Sequence, residues 1–258
     1  MSPNLNVLQN YRKDLHYSDK PFPHVIIQDA LPNELYLKLL SKHPEKQLLD
    51  NKYQRPSNAW RISLYEMGEE FKMDDIWKRF MEYHTSDAFY KQLIDIFRDD
   101  ILKHYSRDVA KEILIATPQT RTKKNRKHIV TDCQLVLNKP SDKTSRTPHV
   151  DNPKEIYAGL FYLRHLNDKS TGGDLVLYTP KDSYRKSNIQ HKGARQLDLS
   201  HITPTKTVSY RGNTYVVFLN IRESPHGVTI RQNADLNRLS VNIIAEHSQP
   251  LWSLKAPS

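Results

Sequence analysis

The sequence has a single cysteine, Cys133, among 258 residues, so no disulfide framework holds it together and the fold must rest on a packed core. Long hydrophobic runs are also missing. Apolar stretches such as Tyr215–Leu219 are far too short to cross a bilayer, which argues against a helical membrane protein. The opening residues, MSPNLNVLQNYRKDL, contain no apolar segment of the secretory type. With one cysteine and no such leader, a reducing, cytoplasmic location is expected. No internal repeat is visible. No RNA-binding motif with aromatics interleaved along a strand is present, so a nucleic-acid partner would rest on charge alone and is not expected. Glycine is scarce in the first half: six of the seven lie between Gly159 and Gly227, where tight turns are therefore expected.

What remains is a hydrophilic globular composition, 37% hydrophobic and 26% charged, on a chain long enough to bury a sizeable core. The formal net charge is +10. Basic residues gather in RTKKNRKH (Arg121 to His128) and in Lys181, Arg185, Lys186, Lys192 and Arg195. Such runs are either solvated loops or a rim that attracts an anionic substrate. The aromatic and basic stretch from Tyr53 to Tyr65 is a second candidate rim.

Periodicity divides the chain. Up to residue 128 it reads as mainly helical, with one short strand at Pro23–Ile27. Leu35, Tyr36, Leu39 and Leu40 mark a helix ending before Pro44, and Ile76, Trp77 and Phe80 a second. Ser86–Asp87 can cap a third, whose Phe89, Leu93, Phe97 and Ile101 recur every four residues as a core stripe. From residue 129 short β-rich runs take over: IVTDCQLVLN, EIYAGLFYL, DLVLY, TVSY, NTYVVFLN, HGVTIR and RLSVNIIAE. Helices followed by strands, without βαβ alternation, predict an α+β fold built on a jelly roll. Residues 1–128 are expected to form a helix-rich support and 129–258 the functional core of a single compact domain. Lys181 to Thr207 is polar and aperiodic, and is expected to be a long loop.

Two of the twelve histidines have a carboxylate two residues on. His43-Pro44-Glu45 falls at a helix end broken by Pro44. His149-Val150-Asp151 stands before the run of strands, where residues i and i+2 project to the same side and can grip one metal. An imidazole with a carboxylate suits Fe(II), and His226, between two predicted strands, is the candidate third ligand.

In this order, TPHVDNP, YAGLFYL, GGDLVLY, NTYVVFLN, SPHGVTIR and NRLSVNIIAE resemble the prolyl-hydroxylase-like Fe(II)/2-oxoglutarate-dependent oxygenases, and among them the bacterial and phage members. The resemblance covers about residues 129–247. It implies a distorted double-stranded β-helix, a jelly roll, with Fe(II) held by His149, Asp151 and His226. It implies that Arg238 anchors the distal carboxylate of 2-oxoglutarate, with Ser240 two residues on adding a donor. A buried carboxylate needs such a partner, and arginine offers a planar fork for it. Arg231 is the rival, as an alternative 2-oxoglutarate or substrate contact. A co-substrate tyrosine common in the family is replaced here by Asn138; Asn138, Gln134 and Tyr162 are candidate inward donors. The implied cofactors are Fe(II), 2-oxoglutarate and O₂. The implied reaction is hydroxylation of an unactivated C–H bond, with a carboxylate at Asp151 speaking against halogenation. The implied partner is a small molecule or peptide: an amino acid, a peptide or protein side chain, or an anionic metabolite. Two alternatives stand beside this reading, a jelly-roll binding module without redox chemistry and a cupin-type metal enzyme that uses no 2-oxoglutarate.

Overall fold

The computed structural model describes residues 4–55, 59–124, 128–141, 146–186 and 197–255. Its centre is a nine-stranded sheet in the order β1-β2-β10-β7-β12-β6-β4-β3, with β5 added in parallel to β6. These strands are β1 (Tyr17–Ser18), β2 (His24–Gln28), β3 (Gln54–Arg55), β4 (Ala59–Ser63), β5 (Gln119–Thr120), β6 (Val130–Asn138), β7 (Glu155–Leu163), β10 (Thr214–Leu219) and β12 (Arg238–Glu246). A second sheet of three antiparallel strands has the order β11-β8-β9: β11 (His226–Val228), β8 (Leu175–Pro180) and β9 (Ile202–Val208). An isolated bridge between His149 and His226 extends it by a fourth segment.

Helices cover the far face of the large sheet. They are α1 (Lys13–His16), α2 (Asn33–Ser41), α3 (Glu45–Leu48), α4 (Asp75–His84), α5 (Asp87–Ile96), α6 (Arg98–His104) and α7 (Arg107–Ile115); α8 (Asp182–Arg185) lies on the small sheet. Ser86 caps α5 by accepting from the Phe89 amide. The stripe Phe89, Leu93, Phe97 and Ile101 is fully buried, although the helix breaks at Phe97 into α5 and α6. Phe80 of α4 stacks on Phe161 of β7 and Phe89 packs edge-on to Tyr215 of β10, so the core fills the space between helices and sheet.

Alternation along the strands gives the sheet two unlike faces. Toward the helices, β12 presents Leu239, Val241, Ile243 and Ala245. Toward the small sheet it presents Arg238, Ser240, Asn242 and Ile244. Through the register this second face continues into Asn138, Val136 and Gln134 of β6, Tyr162 and Leu160 of β7, and Thr214 and Val216 of β10. Leu160 and Asn242 sit mid-sheet on central strands yet are only half-buried.

Three expectations are corrected. The stretch from Lys181 to Thr207 is not a plain loop: its described parts hold α8, a 3₁₀ turn at Leu199–His201 and most of β9. Strand β9 shows no alternation because only its end residues are buried; it is an edge strand held by backbone pairing to β8. The first half contains more than one strand, since β4 pairs with β6 and carries β3 outside it. The Tyr53–Tyr65 stretch is not wholly a rim, because Tyr53, Trp60 and Ile62 are buried in the core and only Arg61 of β4 is exposed. Of the basic segments, residues 125–127 and 187–196 lie outside the described residues, while Arg121 is ion-paired with Glu246 and, at 3.6 Å, with buried Asp132. Among the described residues no helix is long and apolar enough to cross a membrane.

Candidate metal and carboxylate site

His149 and His226 are cross-strand partners locked by two backbone hydrogen bonds, His149 N–H to the His226 carbonyl at 2.8 Å and His226 N–H to the His149 carbonyl at 2.9 Å. Directly paired residues project to the same side, and here the ring centroids are 4.3 Å apart. Asp151 follows two residues after His149. Its Oδ1 lies 3.4 Å from His149 Nε2 and its Oδ2 lies 3.3 Å from His226 Nε2. One ligand atom from each of the three falls within 4.8 Å of the others, and no other group of three acidic, histidine or cysteine residues among the described residues does so.

The tautomers follow from the partners. His149 Nδ1 is 2.7 Å from the Thr147 carbonyl and His226 Nδ1 is 3.1 Å from the Ser224 carbonyl. Carbonyls only accept, so each Nδ1 carries the hydrogen and each Nε2 presents a lone pair. Burial pushes the His226 imidazole down to about 4, against the attraction of Asp151, so it is neutral at pH 7. Burial pushes the Asp151 carboxyl up, but His226, His149 and Arg146 outweigh it and hold the group well below the usual carboxylate range. Three acceptors thus converge with negative charge, an arrangement that calls for a cation. The two contacts use different oxygens of Asp151, so its carboxylate faces both imidazoles at once. One cation is already at hand: Arg146 Nε donates to His149 Nε2 at 2.9 Å.

On the facing sheet Arg238 is buried between two tyrosines, its guanidinium 5.1 Å from the Tyr162 ring centroid and 4.7 Å from that of Tyr210. Its Nε donates to the Gly173 carbonyl at 3.2 Å, while its Nη2 is buried without a hydrogen-bond partner. Thr214 Oγ1 is in the same condition, while the Tyr162 hydroxyl lies against the Arg238 guanidinium. Tyr162 and Thr214 are register partners, and Ser240 is the partner of Tyr162 on the other side, so these groups share a row two residues from Arg238. Burial raises the Tyr162 hydroxyl to about 12 against the opposing pull of Arg238, so it remains a donor. Asn138 is paired with Arg238 across β6. Gln134 lies four residues further down β6, beside Asn242, where its amide donates to Asp132 at 2.7 Å.

Arg231 is placed differently. Its Nη2 pairs with Asp168 at 3.0 Å, its Nη1 donates to the Leu236 carbonyl at 2.9 Å, and Nε and Nη2 both reach Ser170. That guanidinium is spent on the loop between β7 and β8 and on the turn before β12. Gly173 fixes the spacing between the two arginines: at φ +75° it holds a left-handed backbone, and a Cβ there would meet Arg231 Cγ at 2.6 Å.

Sequence reasoning did not single out Arg146, Thr214, Tyr210 or Asn242. Strand parity was the available signal for Thr214 and Asn242, because the alternation that places Ser240 inward also places Asn242 inward. Nothing in the sequence marked Arg146 or Tyr210.

No protein-family model and no curated protein matches the chain. Solved structures similar in overall path include a prolyl-4-hydroxylase from Pseudomonas putida (14% identity, 91% of this chain and 95% of that one, TM-score 0.47). They also include a prolyl hydroxylase from Trichoplax adhaerens in complex with a hypoxia-inducible-factor peptide (13% identity, 95% and 88%, TM-score 0.49). A third is an oxidoreductase of the 2OG-Fe(II) oxygenase family from Burkholderia pseudomallei (14% identity, 91% and 88%, TM-score 0.43). What the site can do follows from its own atoms.

Proposed function

We propose that the protein is an oxygenase of the non-haem iron class. More narrowly, we read it as an Fe(II)- and 2-oxoglutarate-dependent hydroxylase with His149, Asp151 and His226 as metal ligands and Arg238 as the anchor of the co-substrate. The observation that carries this is the convergence of three acceptors, His149 Nε2, His226 Nε2 and the Asp151 carboxylate, beside which the large sheet buries the guanidinium of Arg238 between two tyrosines. Two imidazoles and a carboxylate on one side of a metal, with its other positions open, form the donor set of Fe(II) oxygenases. A dicarboxylate co-substrate would suit this set, since a buried guanidinium takes a carboxylate as its partner.

The chain winds between its sheets in a regular way. From β6 it passes to the His149 segment, back to β7, across to β8 and β9, back to β10, across to β11 and back to β12. We read this as a distorted double-stranded β-helix. Residues 1–128 then act as support for the core at 129–258, and strands β2 and β4 joining the large sheet favour one compact domain over two.

Each residue has a defined task in this reading. His149 and His226 offer Nε2 lone pairs, and Asp151 offers the charge that keeps a dication in place. Arg238 takes the distal carboxylate of 2-oxoglutarate, with Tyr162, Thr214 and Ser240 positioned to donate from the adjoining row and Asn138 flanking the guanidinium. Gln134 gives its amide to Asp132, and Arg231 serves structure. When bound, the ferrous ion would supply O₂ activation, coupling oxidation of 2-oxoglutarate to succinate and CO₂ with insertion of one oxygen atom into a C–H bond of the substrate. We read the half-buried Leu160 and Asn242, on the same face as Arg238, as the floor of the substrate space. The substrate classes compatible with this space are an amino acid, a peptide or protein side chain, and an anionic metabolite.

The test is anaerobic titration with Fe(II) and 2-oxoglutarate, watching for a weak visible metal-to-ligand charge-transfer band, followed by mass spectrometry of a reacted substrate. A band lost in His226→Ala and a product heavier by one oxygen are expected. Absence of the band in the intact protein would favour a binding module that only shares the fold.

A further inference from the structure

Two partners compete for one lone pair on His149. Because Nδ1 gives its hydrogen to the Thr147 carbonyl, Nε2 is the ring's one free acceptor, and Arg146 Nε–H donates into it at 2.9 Å. The metal site needs the same lone pair. An imidazole nitrogen cannot accept a guanidinium hydrogen bond and ligate a metal ion at once. The competitor is also tethered, since Arg146 stands three residues before His149 and its own carbonyl accepts from Val228 N–H at 2.8 Å. The two strands that fix His149 and His226 therefore also fix the backbone of Arg146.

We propose that Arg146 is an internal competitor for the metal: guanidinium and metal ion occupy the His149–Asp151–His226 triad in mutually exclusive fashion, and loading swings the arginine off His149. This rests on the metal reading above. The charge of Arg146 acts in the same sense as its hydrogen bond, since a cation beside the triad both neutralises Asp151 and repels an incoming dication. The protein thus binds divalent ions less tightly than its three ligands alone would.

The test uses the full chain without oxygen and Mn(II) as probe, with isothermal titration of the wild type, Arg146→Met, Arg146→Lys and Asp151→Ala. Losing a charge-assisted hydrogen bond and a repelling charge should tighten the Kd of Arg146→Met by about tenfold or more. Arg146→Lys, which keeps the charge but cannot reproduce the guanidinium geometry, should fall between the two. Circular dichroism of the metal-free variants checks folding, and if Arg146→Met does not fold, the Arg146→Lys Kd alone decides. Unchanged or weaker binding in the folded Arg146 variants, while Asp151→Ala abolishes binding, overturns the competition and leaves the metal site standing. If neither the wild type nor Asp151→Ala binds Mn(II), the metal reading falls and the competition falls with it.

Discussion

Replacing either of the two arginines near the start of β12 by alanine separates a ligand clamp from a structural strut. Arg238 is buried, has an unpaired Nη2 and lies two residues from a row of hydroxyls. Removing it takes away a charge-assisted pair and leaves the incoming carboxylate without its partner, at a cost of about 3–4 kcal/mol. At about 1.4 kcal/mol per decade that weakens 2-oxoglutarate binding by two to three orders of magnitude. Arg231→Ala should leave that Kd within a few-fold, because its hydrogen bonds go to Asp168, Ser170 and Leu236. It should instead lower stability. The Asp168 side chain is fully buried and would keep only Arg164, at 3.5 Å, as a charged partner. The low end of the range for breaking a buried pair, about 3 kcal/mol, corresponds to a Tm drop of about 6–12 °C for a chain of this size. Isothermal titration of 2-oxoglutarate into Mn(II)-loaded protein without oxygen gives the first number and a thermal melt the second. Equal losses of affinity, or a larger loss in Arg231→Ala, would refute the assignment.

Other outcomes follow from the same geometry. Gly173→Ala should weaken 2-oxoglutarate binding while leaving Mn(II) affinity unchanged, because its methyl group collides with Arg231 beside Arg238 and touches no metal ligand; coupled loss of both affinities in titration would contradict this. Asp151→Ala should abolish Mn(II) binding, and residual binding at wild-type strength would move the metal elsewhere. Burial lowers the His84 imidazole from 6.5 to about 3, so the folded protein keeps it neutral where the unfolded chain takes up a proton. Stability on its account is therefore intact above pH 6.5 and falls by about 1.4 kcal/mol per unit as the pH drops toward 3. Denaturant melts between pH 6.5 and 5 should show a shallower pH slope in His84→Gln, and an identical slope would mean that His84 titrates normally.

The features most visible in the sequence are those set by local periodicity. The core stripe on α5 and α6 repeats every four residues, and β6, β7, β10 and β12 are short β-rich runs bounded by turn residues, so their existence could be read directly. The pairing of His149 with His226 was legible only in part: the carboxylate offset marks the first, whereas the second depends on which strands become neighbours. Strands β4 and β9 escaped for opposite reasons. Strand β4 is short and its AWRIS sequence reads as an aromatic, basic surface, while β9 exposes its middle and is held by main-chain bonds that leave no side-chain pattern. The choice between Arg231 and Arg238 could not be made from spacing, because it turns on which guanidinium finds Asp168 and Ser170 across a loop.

The doubled main-chain bond between residues 149 and 226 divides the labour of the site unevenly. The bite between the two imidazoles is dictated by the peptide ladder, so it tolerates replacement of surrounding side chains as long as the ladder stays paired. The carboxylate clamp has no such insurance: Arg238, Tyr162 and Thr214 come from three strands, and each can be exchanged singly. In laboratory evolution the metal grip should therefore behave as the conserved chassis, and the co-substrate clamp as the part through which new acids are admitted.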